Sequence, residues 1–120
     1  MVMDDLDALQ DRHAGCETVA FADLSTQMVL VTNSQTQLRR ETLDMLCAEA
    51  AIVLGDAKMV MLGANPGNVA FVATKNQLRI FLRSESEPSD VLCCVCAPNL
   101  DVPGFLSDAR PCLEKISHGA

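Results

Sequence analysis

Val2, Leu6, Leu9 and His13 recur at helical spacing and lie on one stripe of a short helix that ends near Gly15. The period then changes. TVAFADLSTQMVLVTNS, residues 18–34, reads as two β-rich runs, 18–23 and 28–33, around a tight LSTQ turn. Val19 and Phe21 point to one side of the first run, Ala20 and Ala22 to the other. Both faces are apolar, so the hairpin needs cover on both sides, from helices or from a partner chain.

Residues 36–54, TQLRRETLDMLCAEAAIVL, carry the strongest helical pattern. Leu43, Leu46, Cys47, Ala50, Val53 and Leu54 form a broad core-facing stripe. At about 100° per residue, Met45, Ala48 and Ile52 fall half a turn away from Leu43. A helix apolar on two faces is covered twice, and a second subunit is the economical cover.

The stretch 55–68 is ambiguous: KMVML fits a short strand or a continued helix, and NPG signals a turn. Beyond it, 69–74 and 77–84 read as strands joined by a KN turn. In QLRIFLRS, Leu78, Ile80 and Leu82 face one way; Arg79, Phe81 and Arg83 face the other. A polar loop, 85–90, leads to VLCCVCAP, residues 91–98. The last helix begins near Asp101, a good N-cap with Pro103 in its first turn. Its stripe is Val102, Phe105, Leu106, Ala109, Cys112, Leu113 and Ile116, and Pro111 is expected to kink or restart it after about residue 107.

With 120 residues, 49% hydrophobic and 21% charged, the chain reads as a single globular domain, 1–120. A net charge of −7 argues against nucleic acid and anionic membrane surfaces as partners. No apolar run reaches the ~18–20 residues of a membrane span. The acidic start MVMDDLDALQ does not resemble a secretory signal, so a cytoplasmic location is expected. The absence of Trp and Tyr leaves few aromatic anchors for a ligand pocket or a base-stacking platform.

Three cysteines in four positions raise the question of metal or redox chemistry. In a strand, Cys94 and Cys96 share one face and Cys93 takes the other. Same-face neighbours lie roughly 6.5–7 Å apart, whereas two thiolates on one zinc lie within ~4.6 Å. Cys16, Cys47 and Cys112 bring no second pair at metal-ligand spacing, and C-x-C inside an apolar run is not the redox C-x-x-C. The segment therefore reads as a core strand of small apolar side chains, with no metal and no cofactor. There is no phosphate-cradling glycine motif, and His13 and His118 are poor candidates for a catalytic triad. His13 is expected as a helix-edge residue bonded to a backbone carbonyl or water. No enzyme site emerges.

The order α-β-β-α-β-β-β-α in an α+β chain this short resembles the roadblock / dynein light chain family. Leu6-x-x-Leu9 running into HAGCETVAFADLSTQMVLV carries the likeness, with LCAEAA in the long helix, LRIFLRS and the strand before the last helix. The first hairpin turn departs from the family's Asp-x-x-Gly, since Asp23 is followed by LSTQ. The resemblance implies a profilin-like fold, a five-stranded antiparallel sheet with one long helix across one face, and it favours helix or loop for KMVML. It also implies a homodimeric, non-catalytic module that binds or regulates a Ras-like small GTPase or scaffolds a signalling complex. Dimers of this kind join sheets edge to edge and lay the long helices side by side, which places Met45, Ala48, Ile52, Val69 and Phe71 at or near the interface.

Arg79, Phe81 and Arg83 admit two readings: an outer sheet face covered by the terminal helices, or a partner surface of arginine and aromatic. The alternative function is a small acidic secretion-type chaperone, or another adaptor or sensor domain. Secretion chaperones typically place three strands before the long helix, where two are read here.

Overall fold

The computed structural model describes residues 1–55 and 68–118. The ambiguous KMVML segment lies outside the described residues. The elements are α1 (Val2–Arg12), β1 (Cys16–Asp23), β2 (Met28–Thr32), α2 (Arg40–Leu54), β3 (Val69–Ala73), β4 (Leu78–Arg83), β5 (Asp90–Cys96) and α3 (Val102–Ser117). Two strands precede the long helix, the order that separates the roadblock reading from the chaperone.

Among the described residues every strand pairing is antiparallel, and the sheet order is β2-β1-β5-β4-β3. Period-two alternation then sorts the side chains into two cores. Val19, Phe21, Ile80, Leu82, Cys94 and Cys96 meet Leu6 and Leu9 of α1 and Phe105, Ala109 and Leu113 of α3. Ala20, Ala22, Phe81, Val91, Cys93 and Val95 meet Leu43, Leu46, Cys47, Ala50 and Leu54 of α2. The cysteine strand is a core strand, with Cys93 facing α2 and Cys94 and Cys96 facing the terminal helices. Both faces of the first hairpin strand are covered by helices of the same chain.

Local chemistry sets the boundaries. The β1–β2 turn is tied by Asp23 Oδ1, which accepts from Ser25 N–H at 2.9 Å and Ser25 Oγ at 2.6 Å. Gln27, at φ 55°, takes the left-handed position that a glycine would fill more cheaply. α2 starts at Arg40 rather than 36, because Thr36 Oγ1 accepts from Leu38 N–H and pairs with Thr18 Oγ1. A hydroxyl bonded to nearby backbone competes with the helical turn. Asp101 caps α3 through Gly104 N–H.

The expected break at Pro111 does not occur, and α3 runs unbroken to Ser117. Proline removes one backbone bond, while burial of Phe105 and Ala109 before it and Leu113 and Ile116 after it holds both halves on the sheet. Val53, placed on the core stripe by periodicity, is 38% exposed and belongs to the outer face of α2.

Candidate interaction surface

On α2, the residues that miss the sheet form a second apolar face. Met45 is 72% and Ile52 81% exposed, Val53 lies beside them, and Ala48 is exposed between. Leucine, cysteine and alanine on the inner stripe are sealed against β1, β4 and β5, so this outer face owes nothing to the chain's own core.

α2 packs next to β3, one edge of the sheet. Ala70 and Val72 point under α2, while Val69 and Phe71 point to the terminal-helix side. Val69 is partly buried against that core, and Phe71, at the rim, stays 46% exposed. Arg83 N–H donates to Asn68 carbonyl at 2.8 Å, and Thr74 N–H to Gln77 carbonyl at 2.9 Å. The same parity directs Ala70 and Val72 toward β4, so Val69, Phe71 and Ala73 turn their N–H and C=O groups to the side of β3 that no other described strand pairs.

The two edges are not alike. β2 carries a register shift opposite Phe21 and Ala22, and Arg40 Nη1 donates to the Val29 carbonyl at 3.2 Å. A bulge and a covering guanidinium blunt that edge. β3 pairs with β4 in unbroken register, and VAFVA holds neither charge nor proline. It has the form of an edge suited to adding another strand.

Arg79, Phe81 and Arg83 are placed differently from either sequence reading. α2, not the terminal helices, covers their face. Phe81 is fully buried among Leu46, Ala50 and Cys93 of that core, so it is a packing residue and not a partner surface. Arg79 is clamped by Glu49 of α2, with Nε–Oε1 at 2.6 Å and Nη2–Oε2 at 3.1 Å, and donates to Gln77 Oε1 at 2.8 Å. The Glu49 hydrogen bonds raise its pKa above the usual arginine value. Arg83 is 2% exposed and donates through Nη2 to the Gly55 carbonyl at the end of α2. Both arginines therefore fasten the long helix to β4, a tertiary role that strand alternation cannot reveal. Beside the Arg79–Glu49 pair a groove of about 240 Å³ opens next to Met45, with Leu46 and Val95 in its lining.

Elsewhere the chemistry is structural. Burial pushes the Cys47, Cys93 and Cys94 thiols up, away from the reactive thiolate. Among the described residues no group of three or more His, Cys, Asp or Glu side chains is arranged to hold a metal ion. His13 bonds the Asp108 carboxylate of α3 at 2.8 Å, rather than a backbone carbonyl or water, and stands edge-on to Phe105. It links α1 to α3. Among the described residues no helix is long and apolar enough to cross a membrane.

Neither protein-family models nor curated protein sequences give a match to this chain. Solved structures do. A Roadblock/LC7 domain from Streptomyces avermitilis superposes with a TM-score of 0.73 at 13% identity, over 94% of this chain and 92% of that one. Myxococcus xanthus MglB gives 0.73 at 17% identity, over 99% and 96%. Gliding protein MglB from Thermus thermophilus gives 0.71 at 12% identity, over 99% and 90%. At such identities the shared property is the fold: the described residues of this chain have the roadblock fold.

Proposed function

We propose that this roadblock-fold chain is a single non-catalytic domain, 1–120, that works in the cytoplasm as a homodimer and binds or regulates a Ras-like small GTPase. The observation that carries the reading is the conjunction of an unblunted β3 edge with the outer apolar face of α2. Two copies related by a two-fold axis join β3 to β3 and lay α2 against α2, covering Met45, Ala48, Ile52, Val69 and Phe71 together. A stable pair of this kind buries above ~1,200 Å². The GTPase is the partner class that the roadblock resemblance implies.

The test uses purified Ras-like GTPases from the same organism, each loaded with GDP or a non-hydrolysable GTP analogue, against the immobilised protein. Binding to one of them that depends on the nucleotide supports the reading. Retention of none in either state overturns the GTPase assignment, while the oligomer is judged separately by light scattering.

A further inference from the structure

The six cysteines are free thiols, and the interaction surface uses none of them. They are not equivalent. Cys16 and Cys96 are direct Cα partners across β1 and β5. One position outward, Ala97 N–H donates to the Gly15 carbonyl at 2.7 Å. That bond makes Cys16–Cys96 a non-hydrogen-bonded pair, the type whose Cα atoms approach to ~4.5 Å with side chains closest together. A pair of that type falls within the ~4.4–6.8 Å that a disulfide spans. Both side chains lie on the terminal-helix face, where the Cys16 thiol donates to the Thr18 carbonyl at 3.6 Å.

The remaining strand cysteines lack such an opposite number. Cys94 stands between Val19 and Ile80, and Cys93 between Ala20 and Phe81. Cys47 and Cys112 are on helices, the latter bonded to the Asp5 carbonyl. The sequence does not signal the pair, because eighty positions separate the partners and β5 offers three thiols to choose from.

We propose that Cys16 and Cys96 are a site of reversible cross-strand disulfide formation, with a low-molecular-weight disulfide such as oxidised glutathione as the oxidant. One protein thiol gives its proton to solvent, and its thiolate attacks a sulfur of the small disulfide. A small thiolate leaves, and a mixed disulfide remains on the protein. The second protein thiol, likewise deprotonated, attacks the protein sulfur of that bond and expels the second small thiolate. Both leaving groups take up protons, so two protein sulfurs are oxidised and one small disulfide becomes two thiols.

Rate and consequence follow from position. The pair is 1% and 2% exposed, so the reaction waits for local opening at this end of the sheet, where α1 turns through Gly15 into β1. The neighbouring Cys96 thiol and burial push the Cys16 thiol up, toward its protonated form, which slows the first attack further. Once formed, the bond closes a loop of about 80 residues and restricts the unfolded chain more than a short loop would.

The experiment incubates the folded wild-type protein with oxidised glutathione, alkylates remaining thiols and sequences non-reduced tryptic peptides by tandem mass spectrometry. Arg110 precedes Pro111, so Cys93, Cys94, Cys96 and Cys112 share one tryptic peptide and fragmentation must localise the bond. The expected product has two fewer free thiols, a Cys16–Cys96 link, an unchanged oligomeric state and a melting midpoint higher by on the order of 10 °C. Cys94→Ala should retain the link and Cys96→Ala abolish it. A full count of thiols after prolonged exposure, stable glutathione adducts alone, or a link through Cys93, Cys94 or Cys112 overturns the proposal. The site lies on β1 and β5, away from β3 and the outer face of α2, so its failure leaves the dimer and its partner untouched.

Discussion

Ile52→Asp separates the fold from the assembly. In one subunit Ile52 is 81% exposed near the end of α2, so it contributes almost nothing to that subunit's core. The substitution should change the subunit's own stability by less than ~1 kcal/mol, through helix propensity and an acid near a helix C-terminus. In the proposed dimer the effect is counted twice. The exposed fractions of Met45, Ile52, Val53 and Phe71, 72%, 81%, 38% and 46%, amount to about two to two and a half fully exposed side chains per subunit. At ~1.5–3 kcal/mol for each full burial, a two-fold pair gains about 7–14 kcal/mol. That is of the same order as the ~4–15 kcal/mol cost of association, so removing one contact matters. Losing both Ile52 side chains removes about 4 kcal/mol, which weakens the dimer roughly a thousandfold before any carboxylate desolvation is added. Light scattering across a concentration series, with circular dichroism at each point, reads both quantities. The expected variant is a folded monomer of half the wild-type mass. A wild-type monomer at tens of micromolar, or an undisturbed Ile52→Asp dimer, would refute the surface; an unfolded variant would contradict the exposure of Ile52.

Arg79→Glu should destabilise the subunit by about 1–2 kcal/mol in urea titration, since it sets two carboxylates together under α2. Adding Glu49→Arg should restore most of the loss, and a partner-binding defect at full stability would restore the surface reading of Arg79. Two carboxylates should answer pH with opposite signs. Burial, with Glu87, Asp23 and Glu114 nearby, raises Asp90 above 3.8 despite the opposing influence of the Ser117 hydroxyl. Its charge therefore opposes folding at neutral pH, and Asp90→Asn should add less than ~1 kcal/mol at pH 7 and nothing below pH 3.8. At Glu114 burial pushes upward, but hydrogen bonds from Ser86, the Glu85 N–H and Ser84 outweigh it and hold the group below 4.5. Its contribution is present above pH 4.5 and lost as pH falls through the lowered folded value, so Glu114→Gln should cost less than ~1 kcal/mol at pH 7 and nothing in acid. Urea midpoints of each variant at pH 7 and pH 3 check both signs, and equal shifts at the two pH values would refute the linkage.

Repeating patterns of residue class, read alone, determined the elements, the α+β class and the two faces of the cysteine strand. Helical and strand periods are local properties of the chain, and Val19 against Ala20, or Cys93 against Cys94, divide by alternation in any register. The outer face of α2 was legible for the same reason, since Met45 and Ile52 are half a turn from Leu43 whatever the helix packs on. Tertiary structure decided which layer covers which face. Alternation placed Arg79, Phe81 and Arg83 together, but the crossing of α2 over β4 turned Phe81 into core and both arginines into fastenings for the helix. The same holds for Asn33, 1% exposed, whose Oδ1 accepts from Val19 N–H at 2.9 Å and whose Nδ2 donates to the Glu17 carbonyl. A polar residue after a strand looks like turn chemistry until the partner backbone is in place. Sheet order was likewise silent in the sequence. Insertion of β5 between β1 and β4 depends on long-range pairing, and it sets Cys16 opposite Cys96 and leaves β3 at the end of the described sheet. Spacing along a chain fixes what a residue can face within its own element; the neighbour it meets depends on how elements far apart in sequence come together.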